Sequence, residues 1–247
     1  MIVIPMAGLS RRFTEAGYTV PKYQLPVAGE SLFSLTVKSF QDFFSSELFV
    51  FAYRNVADTR SFLERECAAL GISQFHLTEI DEPTEGQAHT VDLAVRDVSV
   101  ADEPMVIFNI DTIRPGWRPP TFPDARVPDG YLEVVRAAGE GWSFVDPGPA
   151  QSVLRTTEKQ RISDLCSTGL YEFRTASLFR SAFAEARERS ITTKGEYYVA
   201  PLYNILIERG LAVSYYEIAP EDVRFSGVPD EYEELVRTTN ASERGGE

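Results

Sequence analysis

Short apolar runs alternate with amphipathic stretches through the first half of the chain. Residues 1–6 are apolar and rich in Ile and Val, the make-up of a buried strand. Leu32, Phe33, Val37, Phe40 and Phe44 then recur at helical spacing behind Ser31, whose hydroxyl suits a helix N-cap. Residues 48–53 read as a second strand, 60–70 as a helix with Leu63, Cys67 and Leu70 on one face and Gly71 placed to end it, and 75–80 as a third strand. A further helix opens around Gly86 and Ala88, and residues 105–110 form the strongest strand of the chain. This β, α, β, α, β rhythm with short connections predicts an α/β fold built on a parallel, doubly wound sheet.

The second half is patterned differently. Five prolines fall within residues 114–128, which excludes a regular element there and predicts an extended excursion. Strand-like sequence resumes at 131–137, 141–145 and 152–156, the last two as a hairpin about the turn at 147–151. Residues 176–189 and 195–210 read as helices and 213–218 as a late strand. Polar, Gly-rich residues 238–247 are expected to be disordered. The expectation is one domain over 1–237, with no internal repeat.

Composition narrows the function. The chain has 247 residues, 43% hydrophobic and 25% charged, the balance of a globular enzyme. A formal net charge of −13 excludes a general nucleic-acid binder, because a phosphate backbone would be repelled. Any phosphate site must therefore be a local basic island. Cys67 and Cys166 are too few for a disulfide framework, and they, His76 and His89 stand at no metal-ligand spacing. The first apolar run is broken by Pro5 and ends by Leu9, too short for a signal peptide or membrane span, so a cytoplasmic setting without a membrane partner is the default. Tyr197, Tyr198, Tyr215 and Tyr216 are compatible with a homo-oligomer.

The chemistry starts where the first strand ends. Ala7, Gly8 and Ser10 let a loop approach a ligand closely and turn its N–H groups toward an anion, with Leu9 and Arg11 in the same turn. Arg12 adds charge, and Lys22 follows behind Pro21, which stiffens its approach. Asp111 closes the strongest strand, at the carboxyl end where open α/β sheets bind ligands.

The string AGLSRRF with PKYQLPVAGESLF (7–13 and 21–33) resembles the signature of the sugar nucleotidyltransferases, the nucleoside-diphosphate-sugar pyrophosphorylases. Ala7, Gly8, Arg12, Pro21, Lys22, Pro26, Val27 and Gly29 match, and Ser10 stands where a second glycine is usual. Further resemblances follow in order along the chain: GQA at 86–88, FNIDT at 108–112, EK at 158–159, TGLY at 168–171, GEYY at 195–198 and SGVPDEY at 226–232.

The resemblance implies a Rossmann-like three-layer α/β/α fold with a central, mostly parallel mixed sheet, of the GT-A-like nucleotidyltransferase type. Residues 1–113 would form a nucleotide-binding half and 130–237 a sugar-phosphate-binding half. It implies a nucleoside triphosphate and a sugar phosphate as substrates, and attack on the α-phosphate with release of pyrophosphate. The product would feed a surface polysaccharide or other glycan pathway. Arg12, Lys22 and Asp111 would be catalytic. Residues 7–11 with Gly86, Gln87 and Ala88 would bind the nucleotide, and Glu158, Lys159, Gly169 and Glu196 the sugar phosphate. Mg²⁺ would sit on Asp111. The family's second metal-binding aspartate falls on Phe225, which leaves Asp222 as the nearest candidate, and Ile110 replaces a glycine. Two rivals share the architecture: a glycosyltransferase, which usually carries Asp-x-Asp where this chain has Asp111, Thr112, Ile113, and a catalytically silent nucleotide-sugar-binding subunit.

Overall fold

The computed structural model describes residues 1–98, 102–123 and 127–244. In chain order the elements are β1 (Ile2–Pro5), α1 (Arg11–Glu15), β2 (Pro26–Val27), β3 (Glu30–Ser31), α2 (Leu32–Val37), β4 (Phe49–Tyr53), α3 (Thr59–Leu70), β5 (Phe75–Glu79), α4 (Gln87–Asp97), β6 (Met105–Phe108) and β7 (Thr112–Ile113). They continue with β8 (Gly130–Arg136), β9 (Ser143–Pro147), β10 (Val153–Glu158), β11 (Leu165–Phe173), α5 (Ala176–Glu188), α6 (Leu202–Glu208), β12 (Val213–Glu217), β13 (Arg224–Phe225) and α7 (Pro229–Arg244).

One nine-stranded mixed sheet runs through the molecule in the order β10-β9-β11-β6-β1-β4-β5, with β8 on β11 and β12 on β8. Strands β6, β1, β4 and β5 are parallel, and β11 enters antiparallel to β6. Period-two alternation gives each face its own core. Ile2, Ile4, Phe49, Phe51 and Tyr53 face a layer made by α2, α3 and the excursion residues Trp117 and Phe122. Val3, Val50 and Ala52 face the opposite layer of α4, α5 and α6. The result is the expected α/β/α sandwich. No helix of the described residues is long and apolar enough to cross a membrane.

Three expectations need correction. The helix behind Ser31 is capped as expected, Ser31 Oγ accepting from Ser34 N at 3.0 Å, but regular α-helix stops at Val37. A 3-10 turn takes over, and Phe40 leaves helical geometry (φ −112°, ψ 25°) to pack against Phe49, Phe108 and Trp117, while the Ser39 carbonyl accepts from Trp117 N. Within 195–210 only Leu202–Glu208 is α-helical, because 193–197 is tied into a turn: Thr193 and Glu196 exchange backbone bonds, and Tyr197 N donates to the Glu85 carbonyl.

The segment expected to be a disordered tail, 238–247, is helical as far as Arg244, with 245–247 outside the described residues. Tyr232 and Leu235 anchor this helix in a small core with Phe13 and Val27, and the hydroxyls of Thr238 and Thr239 bond back to carbonyls of the preceding turn. Tyr197, Tyr215 and Tyr216 are partly buried against the cores and Tyr198 lines a cavity.

Candidate active site

The carboxyl ends of β1 and β6 open onto a cavity of about 550 Å³, the size of a small-molecule site. Its first wall is the loop after β1. Ser10 adopts the left-handed conformation (φ 48°) that the usual glycine would take freely, and Gly8, Ser10 and Arg12 line the cavity. Ala7 packs instead against the helical core, and Leu9 and Arg11 are exposed and outside the lining. Lys22 reaches in beside Tyr23, whose hydroxyl is tied to Thr59 at 3.0 Å.

The floor follows β6. Asp111 forms an ion pair with Lys22 across 89 residues of sequence. Ile110 turns its side chain into the aromatic core, and its carbonyl accepts from Thr36 Oγ1 at 3.1 Å, which fixes the strand end beneath Asp111. Asn109 donates its backbone N–H to the Gly169 carbonyl at 3.0 Å and accepts from Gln87 Nε2 at 2.5 Å. Of the 86–88 element only Gln87 lines the cavity: Gly86 lies against the Tyr197 backbone and Ala88 is buried in the core.

Strand β11 supplies the far wall through an irregularity. Its pairing with β8 shifts register between Ser167 and Tyr171, and Ser167, Thr168, Gly169 and Tyr171 bend into the cavity. Gly169 sits at φ +88°, and a Cβ there would collide with the Asn109 side chain, so backbone reaches where no side chain would fit. Glu158, at the end of β10, is buried, receives the Ser143 hydroxyl and lines the cavity. Burial raises its carboxyl above the usual range, while Ser143 and Lys159 pull the other way. Tyr171, hydrogen-bonded to the same serine at 3.3 Å, is pushed up to about 12, chiefly by burial.

Lys159 stands behind this lining rather than in it, its ammonium donating to the Tyr198 hydroxyl, and Tyr198 is what faces the cavity. Glu196 is exposed and accepts from Tyr198. Neither Asp222 nor Lys159 lines the cavity itself, but for different reasons. Asp222 is exposed in a 3-10 turn that precedes β13, and its charge helps raise the buried carboxyl of Glu133. Strand β13 pairs Phe225 with Thr112, which puts the phenyl ring at the cavity mouth against Trp142 (centroids 4.9 Å apart).

A second carboxylate comes from elsewhere. Glu231 lines the cavity from the first turn of α7, accepting from Gly227 N (2.7 Å) and Val228 N (3.3 Å). A Cβ on Gly227 would stand 3.1 Å from Asp111 Oδ2 and 3.5 Å from Glu231 Oε2, so the two carboxylates face each other across that glycine. Sequence reading missed Glu231, Tyr198, Asn109, Trp142 and Ser143 as lining residues. Glu231 had a usable signal, a carboxylate three positions after Val228 at a helix start.

Comparison with known proteins gives a consistent result. Neither protein-family models nor curated proteins return a match. Among solved structures, the nucleoside-diphosphate-sugar pyrophosphorylase from Vibrio cholerae RC9 is 46% identical over 96% of this chain and 100% of that chain, with a TM-score of 0.90. The inositol-1-phosphate CTP transferase from T. maritima shares the fold at 16% identity, over 96% of this chain and 95% of that one, with a TM-score of 0.73.

Proposed function

The chain belongs to the sugar nucleotidyltransferase family, and on that premise we propose that it joins a sugar 1-phosphate, or a similar phosphorylated acceptor, to a nucleoside triphosphate with release of pyrophosphate. The observation that carries this reading is the meeting of Arg12, Lys22 and Asp111 in one cavity with Glu158, Gly169 and, through Tyr198, Lys159.

The reaction brings two anions together, so positioning and charge neutralisation are the protein's main tasks. The acceptor phosphate is already ionised and needs no general base. Arg12 and the loop at Gly8 and Ser10, the part of 7–11 that lines the cavity, hold the β- and γ-phosphates, and Gln87 borders the nucleotide. Lys159 holds the acceptor phosphate, Glu158 takes hydroxyl hydrogen bonds, and Gly169 lets the acceptor lie against backbone. An oxygen of the acceptor phosphate attacks the α-phosphorus in line. The bond to the β-phosphate breaks and pyrophosphate leaves, with Lys22 stabilising the charge that builds on the α-phosphate.

Magnesium, when bound, neutralises phosphate charge, and the donor set here suits it: hard carboxylate oxygens on Asp111 and Glu231. Among the described residues no cluster of three or more His, Cys, Asp or Glu side chains is arranged to hold a metal, so Asp111 and Glu231 would hold it together with substrate phosphate and water. In this reading Glu231, rather than Asp222, would share the metal with Asp111.

Pyrophosphate release from a panel of nucleoside triphosphates and sugar 1-phosphates, with and without Mg²⁺, tests the proposal. Release is expected only when a triphosphate, an acceptor phosphate and the metal are all present. Transfer from a finished nucleotide sugar without pyrophosphate, or nucleotide-sugar binding with no turnover of any pair, would overturn it.

A further inference from the structure

We propose that Tyr198 is a positioning residue that keeps the charge of Lys159 available to the acceptor phosphate by standing between it and Glu196; this rests on the reading of Lys159 given above. Lys159 is held in the left-handed conformation (φ 55°), with its backbone N–H donating to the Trp142 carbonyl at 2.8 Å. Such a backbone is costly for a non-glycine residue and survives only where its surroundings enforce it. It aims the side chain at Tyr198, where the ammonium donates to the hydroxyl and lies 4.2 Å from the ring centroid.

Tyr198 in turn donates to Glu196 Oε2 at 2.5 Å. A phenol has one hydrogen, and with that hydrogen on Glu196 the oxygen lone pairs face Lys159. The order ammonium, hydroxyl, carboxylate is therefore fixed. Burial, with Glu196 next in effect, holds the phenol well above its ordinary range, so it remains neutral and bridges without adding a charge. The backbone that carries Glu196 is fixed, its N–H and carbonyl both bonded to Thr193 at 3.0 Å.

The arrangement matters because of the local charge. Glu158 responds to both neighbours, Lys159 lowering its pKa and Glu196 raising it, so two carboxylates share the vicinity of one lysine. A direct Lys159–Glu196 pair would spend the ammonium on the wrong anion. With the hydroxyl interposed, the charges are held apart and Lys159 keeps N–H donors for a phosphate.

The chain has only four lysines, at 22, 38, 159 and 194, which makes lysine labelling a clean probe. Pyridoxal 5′-phosphate is a phosphorylated aldehyde; its carbonyl condenses with a free amine, losing water, and borohydride reduces the imine to a stable secondary amine. Peptide mass spectrometry then reads each site, with Lys38, paired to Glu30, as the internal reference. Lys159 labelling is expected to fall about tenfold in Tyr198→Leu, the scale of one charge-assisted contact, and to recover in Tyr198→Leu/Glu196→Gln. The acceptor KM should rise and recover in parallel, with the triphosphate KM unchanged.

Tyr198→Phe keeps the ring as a spacer and should fall between wild type and Tyr198→Leu, which guards against a folding defect in the latter. Unchanged labelling and KM in Tyr198→Leu, or failure of Glu196→Gln to restore them, would overturn the spacer role. An acceptor KM that does not move in Lys159→Ala would overturn the reading of Lys159 as well, so the two failures are told apart.

Discussion

Lys22 lines the cavity and Lys159 stands behind its wall, reaching it through Tyr198, and the chain restrains them in contrasting ways. Lys22 comes from a short turn before a parallel run of strands and pairs directly with Asp111 at the end of β6. Lys159 comes from the antiparallel part of the sheet, on strained backbone after β10, and is kept from Glu196 by a tyrosine. The first part of the chain places charge on regular strand ends. The second places it by irregularity: a register shift at Gly169, a left-handed lysine and an aromatic ring between that lysine and a carboxylate. Direct pairing would suit Lys22 if, as proposed, magnesium competes for the same carboxylate, whereas Lys159 is held off its carboxylate by a neutral hydroxyl.

Removing the directly paired groups should produce the largest effect. Lys22→Ala is expected to lower turnover about 100-fold or more, the scale of losing one preorganised charge-stabilising donor. Asp111→Asn should abolish magnesium-dependent turnover with little change in thermal melt, and Glu231→Gln should raise the Mg²⁺ concentration needed while Asp222→Asn does not. Steady-state kinetics with metal titration reads all four. Near-normal turnover in Lys22→Ala would remove it from the chemistry, and a collapsed melt in Asp111→Asn would make that residue structural.

The irregular part should break through geometry rather than charge. Gly169→Ala forces a side chain into left-handed backbone and against Asn109, at about 3 kcal/mol of combined strain and overpacking. Denaturant midpoints measure the loss. Because Asn109 also holds Gln87, the triphosphate KM should rise together with the acceptor KM. A change confined to the acceptor would mean that the two walls are not coupled there.

This contrast also explains what the sequence could and could not convey. The parallel strands and the residues at their ends were legible because continuous apolar runs, buried on both faces of the sheet, and a loop after β1 leave a local trace, as with Ile2, Val3 and Ile4. The kink at Phe40 was not, since it answers to Trp117, far along the chain. Neither was Tyr198, whose meaning depends on a lysine 39 residues away. Asp222 looked close to the needed aspartate in sequence, yet the pairing of β13 with β7 presents Phe225 to the cavity instead. The helix at 229–244 escaped notice because, among its described side chains, those packed in a core, Tyr232, Leu235 and Val236, fall in its first turns.

The smallest effect concerns a carboxylate in the antiparallel part that serves no evident role in the cavity. Glu172 lies in β11 between Val106 of β6 and Tyr131 of β8, and its carboxyl is pushed up to about 8. Burial is the main cause; Arg174 offsets part of it and Asp129 adds to it. Protonated Glu172 is compatible with the fold, and ionised Glu172 is not favoured there. Its contribution is therefore fully present below the unfolded-state value near 4.5 and is lost as pH rises through about 8. Glu172→Gln, which stays neutral, should be more stable than wild type by about 1–2 kcal/mol at pH 9 once partial solvent screening is allowed for, and nearly equal at pH 4. Melting curves across that range test the sign. A difference that stays flat with pH would mean that Glu172 ionises in the folded chain as it does in the unfolded one, and that the antiparallel strands carry no misfit charge.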